Sequence, residues 1–512
     1  MLYYKNWGFC TMNKMMIGWA EESLVPEKKV SLAGQFYERI SEFVESDINA
    51  TAMAVECGDQ QAIFISCDIT SFSEFLVDRI REKFAEMNDE VSPDKLIMSA
   101  THTHTSVNHR DTSWAAISIL NEFLPEGKKY TKLVETNDEV ISPKEAREFL
   151  ADRIASAAKK AWDNRQESLY ANAFGRAAIG FCRRVCYDDG SAQMWGDTNT
   201  ANFTALEGGN DSGVELLYIF DKSKKLTGIV ANVACPAQIL EHRSFISSDF
   251  WGKAKEYVRK ELGDHIYLLT LCGAAGDQCP RDLVRWVNPE TPVNDPHISR
   301  PNYIERTADP SMFDISGCRL AGKRLANEIV SVYEEITEIK DEPIFEHSTF
   351  VIDLPLRKAS MKDYNNAVRE IEYYVEKNKD KDEFDYHDTA AINVHAGTIN
   401  RYRIQQNQQV VPTEIHIIRL GDIAIASNPF ELYLDYGNQI KARSHAKQTF
   451  ISQLTCGGLS YLPTEKAQKG GHYSAYISSG VVGYEGGDIL VRKTIHEINK
   501  LFESSKTNEV NK

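Results

Sequence analysis

The segment Thr101-His102-Thr103-His104-Thr105 carries two imidazoles two residues apart, directly after the apolar run Leu96-Ile97-Met98-Ser99-Ala100. Imidazole ligates metals through either ring nitrogen and exchanges protons near neutral pH. We read the two rings as approaching a site from opposite sides of the segment, one taking a metal or substrate and the other moving a proton. Other reactive side chains also end apolar runs. Asp68 ends Gln61–Cys67, and Cys235-Pro236 ends Leu226–Ala234. The loop Gly273-Ala274-Ala275-Gly276-Asp277-Gln278-Cys279-Pro280-Arg281 follows Ile266–Leu271. Glu431 follows Ile423–Ser427, and Tyr461 lies just beyond Thr449–Leu454. His109, His242, His297 and His472 read as structural histidines, with His242 also a spare metal ligand.

The elements that must position these groups fall into three strand–helix–strand units. Phe72, Phe75, Leu76, Ile80, Phe84 and Met87 recur at helical spacing between the first two strands. Trp251, Ala254, Val258 and Leu262 do so in the second unit, with Gly263 as the C-terminal stop. In the third, Gly421-Asp422 turns a hairpin, and Leu432, Tyr436 and Ile440 mark the helix. A parallel crossover returns both strand ends to one edge, so Asp68 should neighbour His102, and Cys235 the Asp277/Cys279 loop. Ser142-Pro143-Lys144-Glu145 is a capping box, residues 360–378 read as an amphipathic helix, and Asp488 is taken to cap a closing helix. The expected fold is α/β: one large catalytic domain over 17–505, of mixed β-sheets flanked by helices, with ligands at the C-terminal ends of strands. Residues 1–16 and 506–512 are expected to be flexible termini, with Met12 or Met15 as alternative starts.

Composition narrows the partners. With 58 basic against 74 acidic residues the net charge of the 512-residue chain is −16, which argues against nucleic acid or an anionic membrane as partner. No apolar run is long enough to span a bilayer, and the first residues lack a signal peptide's apolar core. A cytoplasmic location follows by default. Ten cysteines without a disulfide framework or a complete zinc ribbon read as free thiols. The oligomeric state is left open.

The ordered set of motifs resembles the neutral ceramidase family. Thr101-His102-Thr103-His104 resembles its His-x-His metal motif, and Arg183 in Phe181-Cys182-Arg183-Arg184 its Asn-Arg motif. Cys235-Pro236 with Ser248-Asp249 resembles its His-Pro…Ser-Asp stretch, and Gly276-Asp277-Gln278-Cys279-Pro280 its Gly-Asp-x-Ser-Pro loop. Asn428-Pro429-Phe430-Glu431 resembles Pro-Gly-Glu, and Tyr461-Leu462-Pro463-Thr464 with Tyr473 resembles Tyr-x-Thr-Thr…Tyr. The resemblance spans roughly residues 17–500. It implies zinc held by His102, Cys235, Glu431 and Tyr461, with His104 shuttling a proton and Arg183 and Tyr473 facing the acyl oxygen. The resemblance implies ceramide as substrate; for this chain the expected substrate is a small-molecule N-acyl or lipid-like compound cleaved at its amide, with an ester as the alternative.

Departures from the family pattern leave alternatives open. Cys235 stands where the family has a histidine; thiolate also ligates zinc, and His242 is the alternative donor. Cys279 replaces a serine and makes a metal-free cysteine nucleophile a second reading. A third is a ligand-binding member that has lost catalysis. After His104 the chain reads Thr-Ser-Val-Asn-His-Arg, without the family's glycines, and its length leaves no room for the family's C-terminal β-domain.

Overall fold

Two sheets pack face to face, each with helices on its outer side, in the computed structural model, which describes residues 14–110, 115–130, 139–287, 307–308, 314–341 and 343–510. The larger has eight strands in the order Tyr267–Cys272, Leu226–Val233, Gly213–Asp221, Gln166–Arg176, Met15–Ser23, Asn49–Cys57, Gln60–Cys67, Leu96–Ala100. Its interior pairs are antiparallel. The outermost pair at each end is parallel. The smaller sheet runs Phe345–Pro355, Val410–Leu420, Ile423–Ser427, Gln448–Ser452, and its last pair is parallel.

Burial explains the sequence pattern. Strand Gln60–Cys67 is apolar almost without alternation because both its faces are covered. Ile17, Met53, Phe64, Leu217 and Leu269 of the larger sheet meet Ile418, Ile425 and Phe450 of the smaller one. Helices Glu74–Met87 and Pro143–Asp163 close one half of the larger sheet, through Leu76, Ile80, Leu150 and Ile154. Helices Asp249–Leu262 and Asp314–Glu334 close the other half. Leu434–Arg443 and Tyr484–Val510 cover the smaller sheet. Each fully buried aliphatic side chain is worth roughly 1.5–3 kcal/mol, so every layer is held by many such contributions.

The three expected strand–helix–strand units are present, each closing a parallel pair in one of the two main sheets. The capping box at Ser142 and Glu145 forms as expected. The closing helix starts a turn before Asp488, at Tyr484. Gly487, inside this helix, allows close packing: a Cβ on it would lie 2.4 Å from the Tyr436 hydroxyl. Of the termini expected to be flexible, 1–13 and 511–512 lie outside the described residues, as does His297; Met15 and Met16 belong to a strand and 506–510 to the last helix. All nine cysteines among the described residues are free thiols. No described helix is long and apolar enough to cross a membrane.

Candidate active site

At the end of Leu96–Ala100 the chain bends across its parallel neighbour. The Thr101 amide donates to the Cys67 carbonyl and the His102 amide to that of Ile69, both at 3.0 Å. The three threonines fasten the segment to the scaffold. Thr101 donates to Asp68 Oδ1 at 3.2 Å, while Thr103 and Thr105 donate to the Ser247 carbonyl at 2.8 and 2.9 Å. Asp68 is thereby a neighbour of the histidine segment, as the crossover geometry requires. His102 has φ 67°, a left-handed conformation that costs about 1–3 kcal/mol in a non-glycine residue and that persists because surrounding bonds enforce it.

The expectation that the imidazoles approach from opposite sides fails. Residues i and i+2 of an extended chain would share a face in any case; here the strand has ended and turns at His102, and the two rings meet edge to face with Nε2 atoms 3.2 Å apart. Their hydrogen bonds assign the protons. His102 Nδ1 lies 2.7 Å from the Thr70 carbonyl, so it carries the hydrogen and leaves Nε2 as a lone pair. Gln238 accepts from Arg183 through Oε1 (3.2 Å), which turns its amide nitrogen to His104 Nε2 at 2.9 Å. His104 Nε2 is therefore also a lone pair, and its Nδ1–H faces Glu241 Oε2 at 3.5 Å. Glu431 Oε2 sits 3.5 Å from His102 Nε2. Two imine lone pairs and a carboxylate thus converge in a buried space, an arrangement that calls for a cation or an added proton.

Glu431 and Tyr461 come from two-residue strands paired in parallel, in direct register. Gly276 permits this approach, since a Cβ there would lie 2.3 Å from the Glu431 carbonyl. Arg183 donates to the Gly276 carbonyl at 3.2 Å and to the Tyr461 hydroxyl at 3.4 Å. Tyr461 in turn donates to the Tyr473 hydroxyl at 3.3 Å. Burial pushes both phenols up, so they stay neutral donors at neutral pH. Burial, with help from His102, Arg39 and Arg183, pushes His104 well down and keeps it neutral. Burial works against the Arg183 charge, but Tyr461, Cys279 and Glu431 around it hold its pKa above the usual range.

Six of the seven residues singled out in the sequence are thus joined through contacts: His102, His104, Arg183, Glu431, Tyr461 and Tyr473. Cys235 is fully buried nearby, with its thiol 3.5 Å from the carbonyls of Ile179 and Pro236 and its side chain in the apolar cluster under helix Asp249–Leu262. His242 lies beside Asp314. Cys279 donates to the Arg281 carbonyl at 3.2 Å, and burial pushes its thiol up to about 12, which leaves little thiolate for nucleophilic attack. His472 accepts from the Met194 amide at 3.1 Å, a structural use. Sequence reasoning missed Gln238 and Glu241, three and six residues after Cys235. It also missed Gly34, whose Cβ would lie 2.4 Å from His104 Cγ. A polar pair in the loop just past Cys235-Pro236 was the available signal.

A polar centre at the shared edge of three parallel strand pairs, between two helix-covered sheets, defines an α/β fold of specific type. It is the fold of neutral ceramidase. The neutral ceramidase from Pseudomonas aeruginosa superposes with a TM-score of 0.64 at 13% identity, over 94% of this chain and 74% of that one. A ceramidase complexed with C2 superposes with a TM-score of 0.63 at 11% identity, with the same coverage. No protein-family model and no curated protein sequence matches the chain.

Proposed function

We propose that the protein is a zinc-dependent hydrolase that cleaves the amide of an N-acyl, lipid-like substrate, with ceramide the substrate class suggested by its structural neighbours. The observation that carries this reading is the convergence of two imidazole lone pairs and the Glu431 carboxylate at one buried point. Nitrogen, carboxylate and phenol donors suit zinc, and His102, Glu431 and Tyr461 would hold it. When bound, zinc supplies an acidified water and polarises a carbonyl.

The chain's own residues do the rest. The Thr70 carbonyl fixes the His102 tautomer, as outer-shell partners of ligating histidines do. His104 Nε2, neutral and unprotonated, takes a proton from the attacking water and returns it to the amide nitrogen as the C–N bond breaks. The Gln238 amide donates to that nitrogen at 2.9 Å, so it swings aside before water, and then the leaving amine, takes its place. Arg183 and Tyr473 donate to the acyl oxygen as its charge develops. Cys235, the fourth ligand implied by the family resemblance, would have to turn its thiol away from two carbonyls to join.

The test is metal content together with turnover on N-acyl amides of short and long chain. Expected are zinc that is lost on His102→Ala and hydrolysis abolished by chelator and restored by zinc. A zinc-loaded protein that turns over no member of the amide panel sinks the reading. It would leave the second one, favoured by the orientation of Cys235: a pocket that binds such ligands without cleaving them.

A further inference from the structure

A second group of ligand-type side chains lies in the seam between the two sheets, away from the histidine pair. Glu414 and His416 share a face of strand Val410–Leu420, and Cys456 reaches them from the segment after Gln448–Ser452. One ligand atom from each lies within 4.8 Å of the others. His416 Nε2 is 2.7 Å from Glu414 Oε1 and 3.7 Å from Cys456 Sγ. His416 is fully buried, while the Glu414 side chain keeps 25% exposure, so an ion has a way in.

A chain of polar contacts leads from this group to the strand Gln60–Cys67. His347 Nδ1 faces the Gln61 carbonyl at 3.2 Å, His347 Nε2 faces His416 Nδ1 at 3.0 Å, and His416 Nε2 faces Glu414 Oε1 at 2.7 Å. Each of these three contacts needs one hydrogen, and two neutral imidazoles bring only two. Thr349, 3.1 Å from His347 Nε2 and 3.2 Å from His416 Nδ1, supplies the third at the middle contact, so the imidazole hydrogens serve the two ends.

We propose that Glu414, His416 and Cys456 form a second, structural metal site that takes one zinc ion in the seam between the sheets. The donor set is one imidazole, one thiolate and one carboxylate, which leaves a fourth position for water. A tetrahedral zinc would separate its nitrogen and sulfur ligands by about 3.5 Å, close to the spacing present; the carboxylate would need to open by about half an ångström. His416 has the outer partner that ligating histidines use, with Nδ1–H on His347. Arg81 is paired with Glu414 at 2.5 and 3.1 Å and lies 3.9 Å from Cys456 Sγ. Zinc would displace the thiol proton, while the His416 hydrogen would move to Nδ1 and leave Nε2 to ligate.

The ion would tie together parts that build the active site. Cys456 is bonded to Met98 through backbone (2.8 Å) and thiol (3.5 Å), on the strand that delivers His102. The same residue lies five positions before Tyr461.

Cobalt(II) alone tests the proposal, because a cobalt–thiolate bond has a near-ultraviolet charge-transfer band that needs no turnover. The full chain carrying His102→Ala and Cys235→Ala, stripped with chelator, is titrated with cobalt(II). The expected band saturates near about one equivalent, is displaced by zinc, and disappears in Cys456→Ser. No band, or one that survives Cys456→Ser, overturns the site. In the unsubstituted chain, zinc should slow alkylation of Cys456 at least ~10-fold, read by peptide mass spectrometry; equal labelling with and without zinc overturns it as well.

Discussion

His104 sits between Gln238 at one nitrogen and Glu241 at the other, which selects a single tautomer with its lone pair accepting from Gln238. In the proposed reaction this imidazole carries the proton while His102 holds the metal. We expect His104→Ala to lower the rate of amide hydrolysis by ~10²–10⁴-fold with zinc content unchanged, whereas His102→Ala loses both. Gly34 tests how tightly the ring is held. It has φ 95° and its α-carbon packs on the His104 ring. Gly34→Ala should push the ring from its place, lowering activity while costing about 1–3 kcal/mol in urea unfolding. These histidines were legible in the sequence because two imidazoles behind an apolar run are hard to explain otherwise. Their shared face was misread, and the left-handed φ of His102 was not legible, since only the enforcing carbonyls of Ile69 and Thr70 make it tolerable.

Strand Arg184–Tyr187 shows how one element organises the far side of the site. Arg184 is fully buried and pairs with Glu207, with Nη2 to Oε1 at 3.0 Å. It also donates to the carbonyls of Ala467 (3.2 Å), Gly471 (3.0 Å) and Tyr473 (3.2 Å). One guanidinium thus pins the loop that carries Tyr473. Removing its counter-charge leaves a buried cation unpaired, so Glu207→Gln should cost about 3–5 kcal/mol in chemical denaturation. It should also open the 463–474 segment to limited proteolysis. The adjacent Arg183 drew attention through the family motif, but Arg184 carries the structural load. Two neighbouring arginines look alike in a sequence, and their division of labour depends on which carbonyls surround each one.

At the scale of the molecule, the sheets and helices are joined by a few buried ion pairs. Glu21, in strand Met15–Ser23, binds Arg259 at 2.8 Å and Lys255 at 3.5 Å, both on helix Asp249–Leu262. Burial raises this carboxyl, yet the two cations and their hydrogen bonds outweigh it and hold its pKa at about 2 against 4.5. A depressed acid stabilises the fold above its unfolded pKa and loses that contribution as pH falls through the folded one. Roughly 3 kcal/mol should therefore disappear between these two values. Glu21→Gln should remove that acid-side slope from stability measured against pH.

Local chemistry set much of this protein in advance. Periodicity, capping residues and the hairpin turn mark the three strand–helix–strand units, because hydrogen bonding within a segment and burial of one face act over a few residues. The same short range put reactive side chains at strand ends. What only the tertiary structure decided is which of those side chains meet, because the parallel pairs come from opposite ends of one sheet and from another sheet. It joined Glu431 to His102 across more than three hundred residues of chain. It also brought in Gln238 and Glu241 and turned the Cys235 thiol onto two carbonyls. Those outcomes rest on the packing of one sheet against the other, and no window of the sequence contains both surfaces.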